Sequence, residues 1–105
     1  MIFYVSHAFG GDPENLKKAR AITHDLQIND LENCYICPIL SFSHLVYGEI
    51  GYEEEIALCL DLLSVCDKLI VASEISESEG VRREIQFAEL IGMEVIYYEP
   101  QTHNT

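Results

Sequence analysis

Positive charge is scarce in this sequence. Six Lys and Arg stand against 18 Asp and Glu, for a formal net charge of −12. The few basic residues build no large cluster, which argues against a nucleic-acid polymer as partner, because phosphate backbones are held by grouped cations. An anionic membrane surface would repel the chain for the same reason. Long apolar runs are also missing; the longest fall far short of the roughly 20 residues a membrane span needs. No basic stretch precedes an apolar one at the N-terminus, so no secretory leader is expected and a cytoplasmic location is the default. His7, His24, His44 and His103 have no metal-ligand spacing, and no metal or cofactor is expected.

Four cysteines are present, two of them in the CxxC segment Cys34-Tyr35-Ile36-Cys37. The segment 34–39 is apolar and short, and reads as a buried strand. Positions three apart on a strand face opposite sides, so these thiols are poorly placed to share a metal. A redox CxxC opens a helix, whereas Pro38 follows this one at once. With Cys59 and Cys66 seven apart on one face of an expected helix, all four read as small buried hydrophobes in a reducing compartment.

A hydrophobic content of 49 % over 105 residues is that of one packed domain, expected over 1–100 with a polar tail at 101–105. Residues 2–6 form a compact β-prone run. Asp12-Pro13 reads as an N-cap and first helical position, and Leu16, Ala19, Ile22 and Leu26 then recur at helical spacing over 13–28. A second strand is expected at 34–38, a loop over 39–51, and a helix over 52–65 that is acidic in its first turn. A third strand at 68–72, a helix at 79–91 and a fourth strand at 94–98 follow. Strands alternating with helices predict a parallel α/β sheet covered on both faces, in the flavodoxin-like order 2-1-3-4. Ligands of such sheets bind beyond the carboxyl ends of the strands. Here those ends are 6–12, 38–44 and 73–80.

Two segments at that edge carry candidate chemistry. In Ser6-His7-Ala8-Phe9-Gly10-Gly11-Asp12 the glycines either let backbone N–H groups approach an anion or sugar, or serve a tight turn. In Ser78-Glu79-Gly80-Val81-Arg82-Arg83-Glu84 the last residue is out of place. At 100° per residue Glu84 falls among Val81, Phe87, Ala88 and Ile91, in the middle of the apolar stripe, while Arg82, Gln86 and Glu89 point away. Either it contacts a ligand, or it is a buried carboxyl satisfied by Arg82, Arg83 or a tyrosine. Tyr4, inside the first strand, either fills the core or supplies that hydroxyl.

Together, Tyr4–Gly11, the run 59–67 and Ser78–Glu84 resemble the nucleoside 2-deoxyribosyltransferase-like superfamily, which includes deoxynucleoside-monophosphate N-glycosidases. The resemblance implies cleavage of an N-glycosidic bond or deoxyribosyl transfer, with Glu84 as nucleophile at C1′ of the sugar and Tyr4 orienting it. It further implies that Ser6, His7, Gly10, Gly11, Pro38, Cys59, Ser78 and Gly80 surround a nucleoside or nucleotide. One position departs: eight residues before Asp67, where active members carry an aspartate, stands Cys59. Glu55, one turn earlier on the same face, is the carboxyl that could replace it. The departure keeps open a non-catalytic nucleotide-binding module. A third reading follows from Phe3-Tyr4-Val5-Ser6-His7, which resembles the opening strand of TIR-like NAD-cleaving domains. The small core also predicts a homodimer or higher homo-oligomer through the helices at 52–65 and 79–91.

Overall fold

The computed structural model describes residues 1–73 and 78–99. Ser76, Glu77, Pro100 and the expected tail at 101–105 lie outside the described residues. Eight elements follow in order: β1 (Ile2–Ser6), α1 (Pro13–Ile28), β2 (Cys34–Ile36), α2 (Pro38–Ser41), α3 (Tyr52–Ser64), β3 (Lys68–Val71), α4 (Glu79–Leu90) and β4 (Glu94–Tyr97). The four strands are all parallel and lie in the order β2-β1-β3-β4, as the alternation of strands and helices predicted. None of the helices among the described residues is long and apolar enough to cross a membrane.

Strand alternation divides the core into two layers. Tyr4, Leu69 and Val71 pack on one face of the sheet with Leu63 before β3 and with Val81, Ile85 and Ala88 of α4. Val5, between Tyr4 and Ser6, packs on the opposite face with Ala19 of α1 and with Cys37. Helices therefore cover both faces, which is what a parallel sheet requires. Asp67 fixes the start of the central pair: its Oδ2 accepts from the Ile2 N–H at 2.7 Å, and its own N–H donates to the Ile2 carbonyl at 2.8 Å.

Local signals explain most boundaries. Asp12 caps α1, its Oδ1 accepting from the Glu14 N–H at 2.9 Å, and Pro13 takes the first helical position. Thr23 completes the inner face of α1 by donating its hydroxyl to the Ala19 carbonyl at 2.7 Å.

Three expectations need correction. β2 ends at Ile36, not at 38, and the expected loop over 39–51 begins inside a short helix. Cys37 is its extended N-cap, a conformation favoured before proline, and Pro38 opens the helix because it needs no N–H partner there. Cys34 is exposed rather than buried, because β2 is an edge strand; Cys37 and Cys66 are buried and Cys59 is partly buried. On α4 the inner stripe includes Ile85, 8 % exposed, and not Ile91, 48 % exposed, which caps the helix C-terminus.

Leu63 is fully buried at the junction of α3, α4 and the sheet. Leu63→Ala is expected to lower unfolding stability by about 2–5 kcal/mol, through lost transfer energy and the cavity left behind. Leu31→Ala, at a position 80 % exposed, should change it by less than about 0.5 kcal/mol. Urea denaturation of both variants checks the contrast.

Candidate active site

In the order β2-β1-β3-β4 the crossover from β1 goes one way along the sheet and the next goes back the other way to β3, so the loops leaving β1 and β3 part above the sheet. A crevice at this switch point is the usual ligand site of an open α/β sheet. The two loops are tied at the base, where the Ala8 N–H donates to Ser73 Oγ at 3.0 Å. Above them lies a cleft of about 470 Å³. One side is Phe9, Gly10 and the start of α1, and another is the start of α2 with the segment 42–50. The inner wall carries Glu55, Ile56 and Cys59 of α3 and Ser78, Gly80, Val81 and Glu84 of α4.

Glu84 reaches this cleft from within the core, at 6 % exposure. Both oxygens are held by β1. Ser6 Oγ donates to Oε1 at 2.8 Å, and the Tyr4 hydroxyl donates to Oε2 in a short hydrogen bond. Residues 4 and 6 share one face of a strand, so a single strand presents both donors at once. Each carboxyl oxygen keeps acceptor capacity toward the cleft, since a carboxylate oxygen accepts more than one hydrogen bond.

The electrostatics follow from burial. Desolvation pushes the Glu84 carboxyl up to about 7, against the lowering effect of the Tyr4 and Ser6 hydrogen bonds. Burial, reinforced by the adjacent Glu84 and by Cys59, raises the Tyr4 phenol far above its ordinary range, so it stays a hydrogen-bond donor. Burial and the Glu84 charge likewise push the Cys59 thiol up to about 12. Cys59 is therefore a neutral thiol in the inner wall, not a thiolate nucleophile. Burial also raises the Cys37 thiol, with a smaller contribution from Glu84.

The remaining expected residues divide by position. His7, Gly10, Pro38, Glu55, Cys59, Ser78 and Gly80 line the cleft. Tyr4 and Ser6 stand behind Glu84 and support it. Ser78 also caps α4, accepting from the Val81 N–H at 3.2 Å. His7 Nδ1 lies 2.7 Å from the Ala8 carbonyl. Gly11 faces elsewhere. Gly10 and Gly11 have φ of +59° and +77° in a tight turn closed by the Asp12 N–H on the Phe9 carbonyl at 3.0 Å. A Cβ on Gly11 would stand 2.7 Å from the Tyr47 ring. The turn reading thus holds for this pair, while Gly10 also borders the cleft.

Sequence reasoning missed the outer wall. Phe42, Leu45, Val46, Tyr47 and Ile50 border the cleft, and Tyr47 meets Phe9 edge-on at a centroid distance of 5.7 Å. The available signal is the apolar and aromatic content of 39–50, which has no period and so reads as a loop. Among the described residues no group of three or more His, Cys, Asp or Glu is arranged to hold a metal ion.

A parallel α/β sheet with a cleft at its switch point and a buried carboxyl on the cleft wall defines the class of this protein. The chain belongs to the family described as a domain of unknown function, DUF7768, which matches residues 1–98. Among solved structures, a 2-deoxyribosyltransferase from the psychrotolerant bacterium Bacillus psychrosaccharolyticus is similar in fold. The TM-score is 0.69 at 16 % sequence identity, with all of this chain covering 77 % of that one. The search of curated proteins gave no match.

The raised Glu84 carboxyl has a consequence for stability. Its value rises from an ordinary 4.5 to about 7 on folding, so the folded chain holds this proton more tightly than the unfolded chain. The resulting stabilisation is complete below pH 4.5 and is lost as pH rises to about 7, amounting to about 3 kcal/mol. Relative to Glu84→Gln, the wild type should lose stability across this window and run parallel to the variant above it. Denaturation series at several pH values check the difference.

Proposed function

We propose that the protein cleaves the N-glycosidic bond of a nucleoside or nucleotide, or transfers its deoxyribosyl group, with Glu84 as nucleophile. The observation that carries this reading is a buried carboxyl clamped by two β1 hydroxyls and open to a cleft large enough for a nucleoside. The fold shared with a 2-deoxyribosyltransferase supports it. In this mechanism the ionised Glu84 attacks C1′ as the bond to the base lengthens. The covalent ester then traps the oxocarbenium-like centre, as in retaining glycosidases. Water or a second base releases the sugar. Tyr4 and Ser6 keep the carboxyl plane fixed through both steps. Glu55 faces the sugar hydroxyl or the departing base, and Ser78, Gly80, His7, Gly10 and Pro38 line the substrate.

Cys59 favours a second reading. A thiol with a value near 12 is a weak acid toward a leaving base, and general acid catalysis is worth about 10²–10⁴ in rate. A nucleotide-binding module on the same site is what remains if turnover is lost. In either case we place self-association at the outer surfaces of α3 and α4, where Leu58, Val65, Leu90 and Ile91 are exposed.

Incubation with deoxynucleosides, their monophosphates and NAD, followed by chromatography of free base, tests the reading. Glu84-dependent release is expected, and Glu84→Gln should lower it by at least about 10³-fold. Tyr4→Phe should lower kcat by about 10–100-fold with little change in KM, because it removes one charge-assisted hydrogen bond from the nucleophile. The profile of kcat/KM should rise with pH to a plateau, with a midpoint near 7 set by ionisation of Glu84. Absence of base release, with thermal stabilisation by a nucleotide, would establish the binding module instead.

A further inference from the structure

We infer that the preferred substrate is an unphosphorylated nucleoside whose base carries a permanent positive charge at the glycosidic nitrogen ring, such as a pyridinium or N7-alkylpurine nucleoside. This rests on the N-glycosidic reading above and adds the substrate class. The first support is the inventory of cations. The chain has six Lys and Arg, and none of them lines the cleft. Lys17, Lys18 and Arg20 are exposed on α1, and Lys68 pairs with Glu94 at 3.2 Å across β3 and β4. Arg83 holds Glu53 through both guanidinium nitrogens at 3.1 Å and lies over the Tyr52 ring, and Arg82 is exposed on α4. Three carboxyl side chains do line the cleft: Glu55, Glu79 and Glu84. A phosphate placed there would meet like charge and no lysine or arginine, whereas a cationic ring would meet opposite charge.

The second support is the wall facing those carboxyls. Phe9, Phe42 and Tyr47 border the cleft, and aromatic rings attract flat cations. The third is the leaving group. The group beside Tyr4 and Glu84 on α3 is the neutral thiol of Cys59, a poor proton donor. A base that already bears positive charge needs no proton to depart. The step balances without an acid: a Glu84 oxygen forms the bond to C1′, and the C1′–N electron pair moves onto the ring nitrogen. The ring charge is thereby cancelled and the base leaves neutral. Water then attacks C1′ of the ester, the sugar gains the hydroxyl, a proton goes to solvent and Glu84 is released as carboxylate.

The test compares two pairs in which the charge is changed by a different small group, a hydride in one and a methyl in the other. Nicotinamide riboside is set against its neutral 1,4-dihydro form, and 7-methyl-2′-deoxyguanosine against 2′-deoxyguanosine. Binding is measured on Glu84→Gln, where no turnover intervenes and Glu55 and Glu79 remain. The cationic member should bind roughly tenfold or more tightly, and nicotinamide mononucleotide should bind more weakly than the riboside. Glu79→Gln should narrow the cation preference roughly three- to fivefold. The wild type should release nicotinamide and 7-methylguanine. Equal binding of the charged and neutral members, or preference for the phosphorylated form, overturns the inference. If neutral deoxynucleosides are nevertheless cleaved in a Glu84-dependent manner, the N-glycosidic function stands and only the substrate class fails. If no nucleoside of either kind loses its base, both fail.

Discussion

The clamp on Glu84 is the constraint around which the site is organised. A carboxyl group taken out of water is costly unless its oxygens are hydrogen-bonded, and here β1 supplies a donor to each. The two donors are alternate residues of one strand, and that strand lies beside the element bearing the carboxyl. Placing β1 at the centre of the sheet next to β3, with α4 packed over them, brings both about. The topology of the sheet and the chemistry of its wall are therefore one arrangement.

The same burial sets opposing demands. Desolvation favours the protonated carboxyl, while the phenol and hydroxyl of β1 favour the charged one. Balanced near neutrality, the group can be ionised by a modest change in its surroundings, which is how buried carboxyls are commonly poised for chemistry. The surrounding thiols are pushed up by the same burial and stay in the neutral form. The result is a buried carboxyl poised to ionise, bordered by sulfur and apolar carbon.

Much of this was legible from residue order. The run 2–6, the Asp12-Pro13 cap and the apolar spacing of Leu16, Ala19, Ile22 and Leu26 define β1 and α1 almost to the residue. Glu84 stood out because it interrupts an apolar stripe, and a tyrosine two residues into β1 was an available partner. The role of Ser6 was harder to see. Its position on the Tyr4 face follows from strand alternation, but a serine hydroxyl suits a ligand as well as a carboxyl. The segment 39–50 was not legible. It has no regular period, and its aromatic and aliphatic side chains acquire meaning only when α2 and the turn at Gly10-Gly11 bring them over the cleft. Cys34 was misjudged because nothing local distinguishes an edge strand from a central one.

The cleft has two parts of unequal rigidity. Its outer wall is built from exposed side chains such as Val46 and Tyr47, on a segment joined to the sheet through α2. The clamp sits on the central strand, whose amides are hydrogen-bonded to neighbours on both sides. Such central strands open to solvent only when the whole fold melts. Mutational drift can thus reshape which ring the mouth admits without loosening the carboxylate below. Heating should not silence that carboxylate before cooperative denaturation does.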